Sequence, residues 1–179
     1  KIAGYPEPRI RERGHRTLLR TIVGQQVSVA AADSVWAKLE AEIGSEMAPE
    51  RIVEAEFDSL RACGLSRQKQ GYARSLCELV AAGELDLENL PRDDEAAIAE
   101  LTKIKGIGRW SAEIYLLFAE GREDIWPAGD LAVQKATGKI VGLDEVPSEK
   151  ETRAIAEGWR PHRGAMAVFT WHAYYVPTL

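Results

Sequence analysis

One aspartate, a pair of glycines and three tryptophans are the residues of this sequence whose types and spacing suit chemistry. Asp130 follows Pro127-Ala128-Gly129 and precedes an apolar run, so it is placed to cap a helix by accepting from the amides that follow it. The positive end of a helix dipole favours negative charge there, and a carboxylate so held can stabilise an electron-deficient centre. Capping alone also accounts for the residue, and the two roles are compatible. Gly106 and Gly108 straddle Ile107 in the run Lys103 to Arg109. Glycines permit positive φ and let a partner approach the backbone closely. Amides opening a helix after Gly108 would point at an anion such as a phosphate. A plain αα-hairpin whose glycines only allow the turn is the alternative that the hairpin alone leaves open. Trp110, Trp126 and Trp171 lie outside the obvious helical stripes. Tryptophans are more often core than ligand, but Trp110 stands where a plain surface helix would carry a polar side chain.

The elements that must position these residues read as helices. From Ile10 to Gln26, Leu18, Leu19, Ile22 and Val23 recur at helical spacing, with arginines on the other face. Ser28 is an N-cap for a second helix, whose stripe of Val35, Trp36, Leu39 and Ile43 is stopped by Gly44. Pro49 opens a short helix to about Ala55, and Ser66 caps a longer one with Tyr72, Leu76, Leu79 and Val80 on one face. Acidic Asp93-Asp94-Glu95 suits the start of the helix before the glycine hairpin, and Ile114, Leu117 and Phe118 point inward from the helix after it. Gly121 to Gly129 is a loop, Leu131 to about Val141 a helix, and Ser148-Glu149-Lys150-Glu151 a capping box. Pro161 breaks the chain before a last helix from His162 to about Tyr175. Few segments alternate with period two, so the expectation is an all-α protein of short helices.

The 179 residues and 45% hydrophobic content suit one ordinary domain or two small lobes with a real core. No apolar run approaches the roughly 20 residues that cross a bilayer, and no secretory leader is evident, which points to a cytoplasmic protein without a membrane partner. The chain opens on Lys1 without a methionine, compatible with removal of a preceding segment. Two cysteines, Cys63 and Cys77, are too few for an iron–sulfur cluster and read as free thiols, and three histidines show no metal-ligand spacing. Net charge is −5, which taken alone argues against nucleic acid. Its distribution argues otherwise: Lys1, Arg9, Arg11, Arg13, Arg16 and Arg20 open the chain, Arg61, Arg67, Lys69 and Arg74 cluster later, and Lys103, Lys105 and Arg109 surround the hairpin. Local field, not net charge, decides phosphate binding.

The run Leu101-Thr102-Lys103-Ile104-Lys105-Gly106-Ile107-Gly108-Arg109-Trp110-Ser111-Ala112 resembles the helix-hairpin-helix of a DNA glycosylase superfamily, and Trp126-Pro127-Ala128-Gly129-Asp130-Leu131 resembles its Gly/Pro-rich loop and aspartate. Ile22 to Ser28 upstream and Trp159 to Arg163 downstream extend the match over almost the whole chain, which is most similar to the 3-methyladenine DNA glycosylase II branch. The resemblance implies two helical lobes flanking a cleft, 14–122 as the central lobe and 1–13 with 123–179 as the second, without the extra N-terminal β-rich domain of some members. Members with lyase activity place a lysine where Trp110 stands, so a monofunctional enzyme is implied. Asp130 is then the catalytic carboxylate. Trp110 and Trp171 line the base pocket, while Ile114 and His172 replace pocket tyrosines, making it less aromatic on two sides. Gly106, Gly108, Lys105 and Arg109 contact the DNA backbone, and the residue that fills the gap left by a flipped base falls at Gln25 or Gln26. No cofactor and no catalytic metal are implied, only a structural sodium or potassium ion on hairpin carbonyls over 104–108. The implied partner is double-stranded DNA containing a damaged base, bound by a monomer. Alternatives on the same scaffold are a glycosylase for deaminated or oxidised bases and a non-catalytic helix-hairpin-helix module.

Overall fold

A computed structural model describes residues 4–7 and 9–175. The all-α expectation holds: among the described residues there are ten α-helices, one 3-10 turn and no strand. In chain order the helices are α1 (His15–Gly24), α2 (Val29–Ile43), α3 (Pro49–Glu54), α4 (Phe57–Ala62), α5 (Arg67–Ala81), α6 (Asp94–Leu101), α7 (Arg109–Phe118), α8 (Leu131–Val141), α9 (Glu149–Ala156) and α10 (Arg163–Tyr175), with the 3-10 turn at Glu157–Trp159. The chain divides into two compact units, 11–112 and 1–10 with 113–179, and the division falls inside α7.

In unit 11–112, α5 packs against α1, α3 and α4, and α1 also packs on α2. Leu18, Leu19 and Ile22 of α1, Leu39 of α2, Ile52 of α3, Leu60 of α4 and Leu76 of α5 are fully buried there. Caps set the helix starts locally: the side chains of Ser28, Ser66 and Asp93 accept from the amides of Ala31, Lys69 and Ala96. The first helix begins at His15 rather than near Ile10, because Gly14 at φ 103° breaks the helical path. Its arginines hold the fold together. Arg16 and Arg20 lie over the Trp36 ring at 5.4 and 5.0 Å and pair with Glu40 and Asp33. Arg74 of α5 closes the end of α3, donating to the carbonyls of Val53 at 2.7 Å and Ala55 at 2.5 Å. The short α4, six residues long, lies between the helices expected from Pro49 and Ser66. Both cysteines are free and buried. Burial, with the nearby Glu50 and Glu78, pushes the Cys77 thiol up to about 12, so it is an inert core thiol.

In the unit formed by 1–10 and 113–179, α8 packs against α9 and α10, and the 3-10 turn joins α9 to α10. The expected capping box at Ser148 is complete, with Ser148 and Glu151 bonded reciprocally. No helix among the described residues is long and apolar enough to cross a membrane.

Candidate functional site

The hairpin between α6 and α7 is built by two isoleucines. Ile104 and Ile107 are buried, while Lys105, Gly106 and Gly108 are exposed. The amide of Ile107 donates to the Ile104 carbonyl at 3.1 Å, and that of Lys105 donates to Ser75 Oγ of α5 at 3.1 Å. Gly106 has φ +81°, and a Cβ there would sit 2.2 Å from the ring of Tyr72. The fold itself therefore requires glycine at this position. Gly108 differs: its φ is unexceptional, and a Cβ there would meet nothing within 4 Å. No packing inside the chain asks for a glycine at 108, whereas close approach of an outside group would. Its carbonyl accepts from Ala112 at 3.0 Å, so α7 starts there and its first amides open next to the turn.

The charges around the hairpin are unequal. Lys105 is exposed and makes no ion pair among the described residues, whereas the Arg109 guanidinium is bidentate on Glu95, with Nη1 to Oε2 at 2.7 Å. Lys103 pairs with Glu100 at 2.7 Å. The two glutamines after α1 separate in role. Gln25 Nε2 donates to the Gly106 carbonyl at 2.8 Å and ties the loop after α1 to the hairpin. Gln26 is exposed and takes φ 55°, uncommon for a residue with a side chain. Lys69 of α5 supports the same loop, donating to the Val23 carbonyl at 2.7 Å; burial lowers its pKa. Gln25, Tyr72 and Ser75 thus hold the hairpin in register with the loop after α1.

Asp130 is the N-cap of α8: its Oδ1 accepts from the amides of Ala132 at 2.9 Å and Val133 at 3.1 Å. A turn at Pro127, closed by the Asp130 amide on the Pro127 carbonyl at 2.9 Å, delivers it. Gln134 Nε2 holds the Ala128 carbonyl at 2.7 Å, and the Trp126 indole donates to the Thr152 carbonyl at 3.2 Å. Trp126 is buried edge-on to Trp159 at 5.2 Å, so its role is to seat the loop. Further upstream, Asp124 accepts from Arg163 Nε at 2.8 Å and Arg160 Nη1 at 2.6 Å. Burial raises its pKa, but the bonds from Arg163 and the charges of Arg163 and Arg160 outweigh that and leave it lowered.

Among the residues expected to line a base pocket, Trp171 is buried on α10 with its ring 5.6 Å from Phe118 of α7. Ile114 is buried one turn beyond Trp110 on α7, and His172 is part-buried on α10. Trp110 lies in unit 11–112 with the hairpin; Ile114, Asp130, Trp171 and His172 lie in the other unit. Sequence reasoning missed Phe118 as the ring beside Trp171, and it missed Glu113 and Arg153. An acidic residue on the apolar side of α7 was the available signal for Glu113; nothing in the sequence pairs it with a residue 40 positions away.

A family model described as HhH-GPD superfamily base excision DNA repair protein matches residues 19–161. DNA-3-methyladenine glycosylase 1 of Schizosaccharomyces pombe is 31% identical over 163 residues, covering 88% of this chain and 71% of that protein. The crystal structure of a DNA-3-methyladenine glycosidase from Bacillus halodurans matches with a TM-score of 0.88 and 30% identity over 95% of this chain and 79% of that one. The Schizosaccharomyces pombe 3-methyladenine DNA glycosylase in complex with abasic DNA matches with a TM-score of 0.80 and 28% identity, covering 98% of this chain and 88% of that chain. The chain belongs to the HhH-GPD superfamily of base excision DNA repair proteins.

Proposed function

We propose that this protein is a monofunctional DNA glycosylase that acts as a monomer and releases alkylated purines, of the 3-methyladenine and 7-methylguanine type, from double-stranded DNA. The observation that carries the reading is Asp130, a part-buried carboxylate on a loop pinned along its length, in a chain whose matched relatives are named for 3-methyladenine. An alkylated purine is cationic and already a good leaving group, so its release needs no general acid. One carboxylate then suffices where sugar hydrolysis with a poor leaving group uses two. Asp130 stabilises the oxocarbenium-like sugar and orients the attacking water.

Selection of the base follows from the same charge. The indole faces of Trp110 and Trp171 attract a cationic base by about 0.5 to 2 kcal/mol each, an attraction that a neutral base lacks. Ile114 and His172 are the further residues assigned to the base. With Trp110 in place of an amine nucleophile, the enzyme forms no Schiff base and leaves the backbone intact. Gln26, exposed on the loop after α1, fills the space of the flipped nucleotide, while Gln25 braces that loop on the hairpin. The amides after Gly108 and the Lys105 side chain take phosphates, with Arg109 joining as it exchanges Glu95 for phosphate. The carbonyls of Ile104, Gly106 and Gly108 each accept one bond and keep a second lone pair. A sodium or potassium ion held on carbonyls over 104–108 would carry phosphate charge and take no part in bond breaking.

The test is base release from duplexes bearing one defined lesion, compared across methylated, deaminated and oxidised bases, with Asp130→Asn alongside. The wild type is expected to release the methylated purines. Asp130→Asn is expected to fold and bind DNA while its barrier rises by about 2 to 4 kcal/mol. Release of deaminated or oxidised bases alone would move the substrate class, and binding with no release of any base would leave a DNA-binding module.

A further inference from the structure

Glu113 is a buried carboxylate that the chemistry above does not use. It sits on α7 with a side chain 2% exposed, and a carboxylate at that depth needs a charged partner. One such partner is Arg153 of α9, whose Nη2 donates to Oε1 at 3.1 Å. The same guanidinium donates through Nη1 to the Trp126 carbonyl at 3.4 Å and through Nη2 to Glu149 Oε1 at 2.9 Å. The residue before Arg153 supplies the carbonyl that the Trp126 indole bonds. Trp126 is therefore gripped at its carbonyl and at its ring by adjacent residues of one helix. Glu149 extends the grip toward the aspartate, with its Oε2 lying 3.6 Å from the position a Gly129 Cβ would take.

We propose that Arg153 and Glu113 are positioning residues for Asp130, an inference that rests on the reading of Asp130 as the carboxylate of base release. The pair ties the loop Trp126 to Asp130 to α7 on one side while α8 holds its other end, so the carboxylate meets the sugar at a preset place. Stability alone is a poor reason for the pair, because a buried ion pair is commonly no better than two apolar residues of similar volume. Aim is a better one: the planar guanidinium engages a carboxylate, a carbonyl and a second carboxylate at once, which neither an apolar residue nor a lysine reproduces.

The experiment compares wild type, Asp130→Asn, Glu113→Gln, Arg153→Lys and the double variant Glu113→Leu with Arg153→Met. Three readouts are taken: thermal melting, affinity for a duplex with a tetrahydrofuran abasic analogue, and single-turnover release of 7-methylguanine at saturating enzyme. The double variant is expected to melt at or above the wild-type temperature and to bind the abasic duplex within threefold of wild type. Its release rate is expected to fall by tenfold or more, with Glu113→Gln and Arg153→Lys falling less. A double variant that releases base within twofold of wild type overturns the inference while leaving Asp130 in its role. Failure of both the double variant and Glu113→Gln to fold assigns the pair to stability and overturns it too. A wild type that releases no base, or an Asp130→Asn variant as fast as wild type, overturns the reading of Asp130 and this inference with it.

Discussion

The two hairpin glycines make the sharpest contrast at the scale of single residues. Gly106 is fixed from inside the protein, by a positive φ and by the Tyr72 ring packed where a side chain would begin. Gly106→Ala is expected to destabilise the protein by about 1 to 3 kcal/mol, read by chemical denaturation, because the ring must move and the backbone stay strained. Gly108 has open space beside it. Gly108→Ala is expected to stay within about 1 kcal/mol of wild-type stability, as a cap change. It should nevertheless lose about tenfold or more in duplex affinity, by titration at fixed salt, because a methyl group stands between phosphate and amides. Unchanged affinity would reduce the second glycine to a turn former. The spacing that suggested a phosphate site thus contains two glycines kept for different reasons, separated by the positive φ and the Tyr72 contact at the first.

Among the elements, the loop between α7 and α8 is held at successive points, and its first clamp titrates. Asp124 has a lowered pKa in the folded protein. Its contribution to stability is therefore fully present above the ordinary aspartate value of about 3.9 and is lost as pH falls through the lowered folded value. Melting temperatures at pH 6 and pH 3 should differ more for wild type than for Asp124→Asn, in which the group cannot titrate. Equal differences would remove Asp124 from the acid response. The helix starts were legible in the sequence, because capping is a conversation within two or three residues: Ser28, Ser66, Asp130 and Ser148 all cap as expected, and the acidic run expected to open α6 supplies its cap through Asp93. The order of hairpin, loop and aspartate was legible for the same reason. What stayed hidden depends on partners far along the chain. Arg16 and Arg20 read as an outward basic face, and the sequence does not show that both lie over the Trp36 ring; nor does it show that the Gln25 amide holds the Gly106 carbonyl. Glu113 and Arg153 meet across 40 positions of the chain, a distance over which no local pattern pairs them.

For the molecule as a whole, a net charge of −5 coexists with a DNA-binding reading because the phosphate contacts proposed above need only a local positive field. Lys105→Ala is expected to weaken duplex binding alike for every sequence and to reduce the slope of log K against log salt by about one. A slope that does not change would take Lys105 out of the interface. Trp110 carries one more consequence. It is 46% exposed, while Trp159 is part-buried and Trp36, Trp126 and Trp171 are 8%, 3% and 7% exposed. An indole in water emits at longer wavelength and meets a dissolved quencher readily; the buried indoles do neither. The red edge of the intrinsic fluorescence, and its sensitivity to iodide, therefore report chiefly on Trp110, the more exposed of the two rings assigned to the damaged base. The arrival of a flipped nucleotide should register as shielding of that emission, allowing lesion engagement to be followed in real time without attaching a dye.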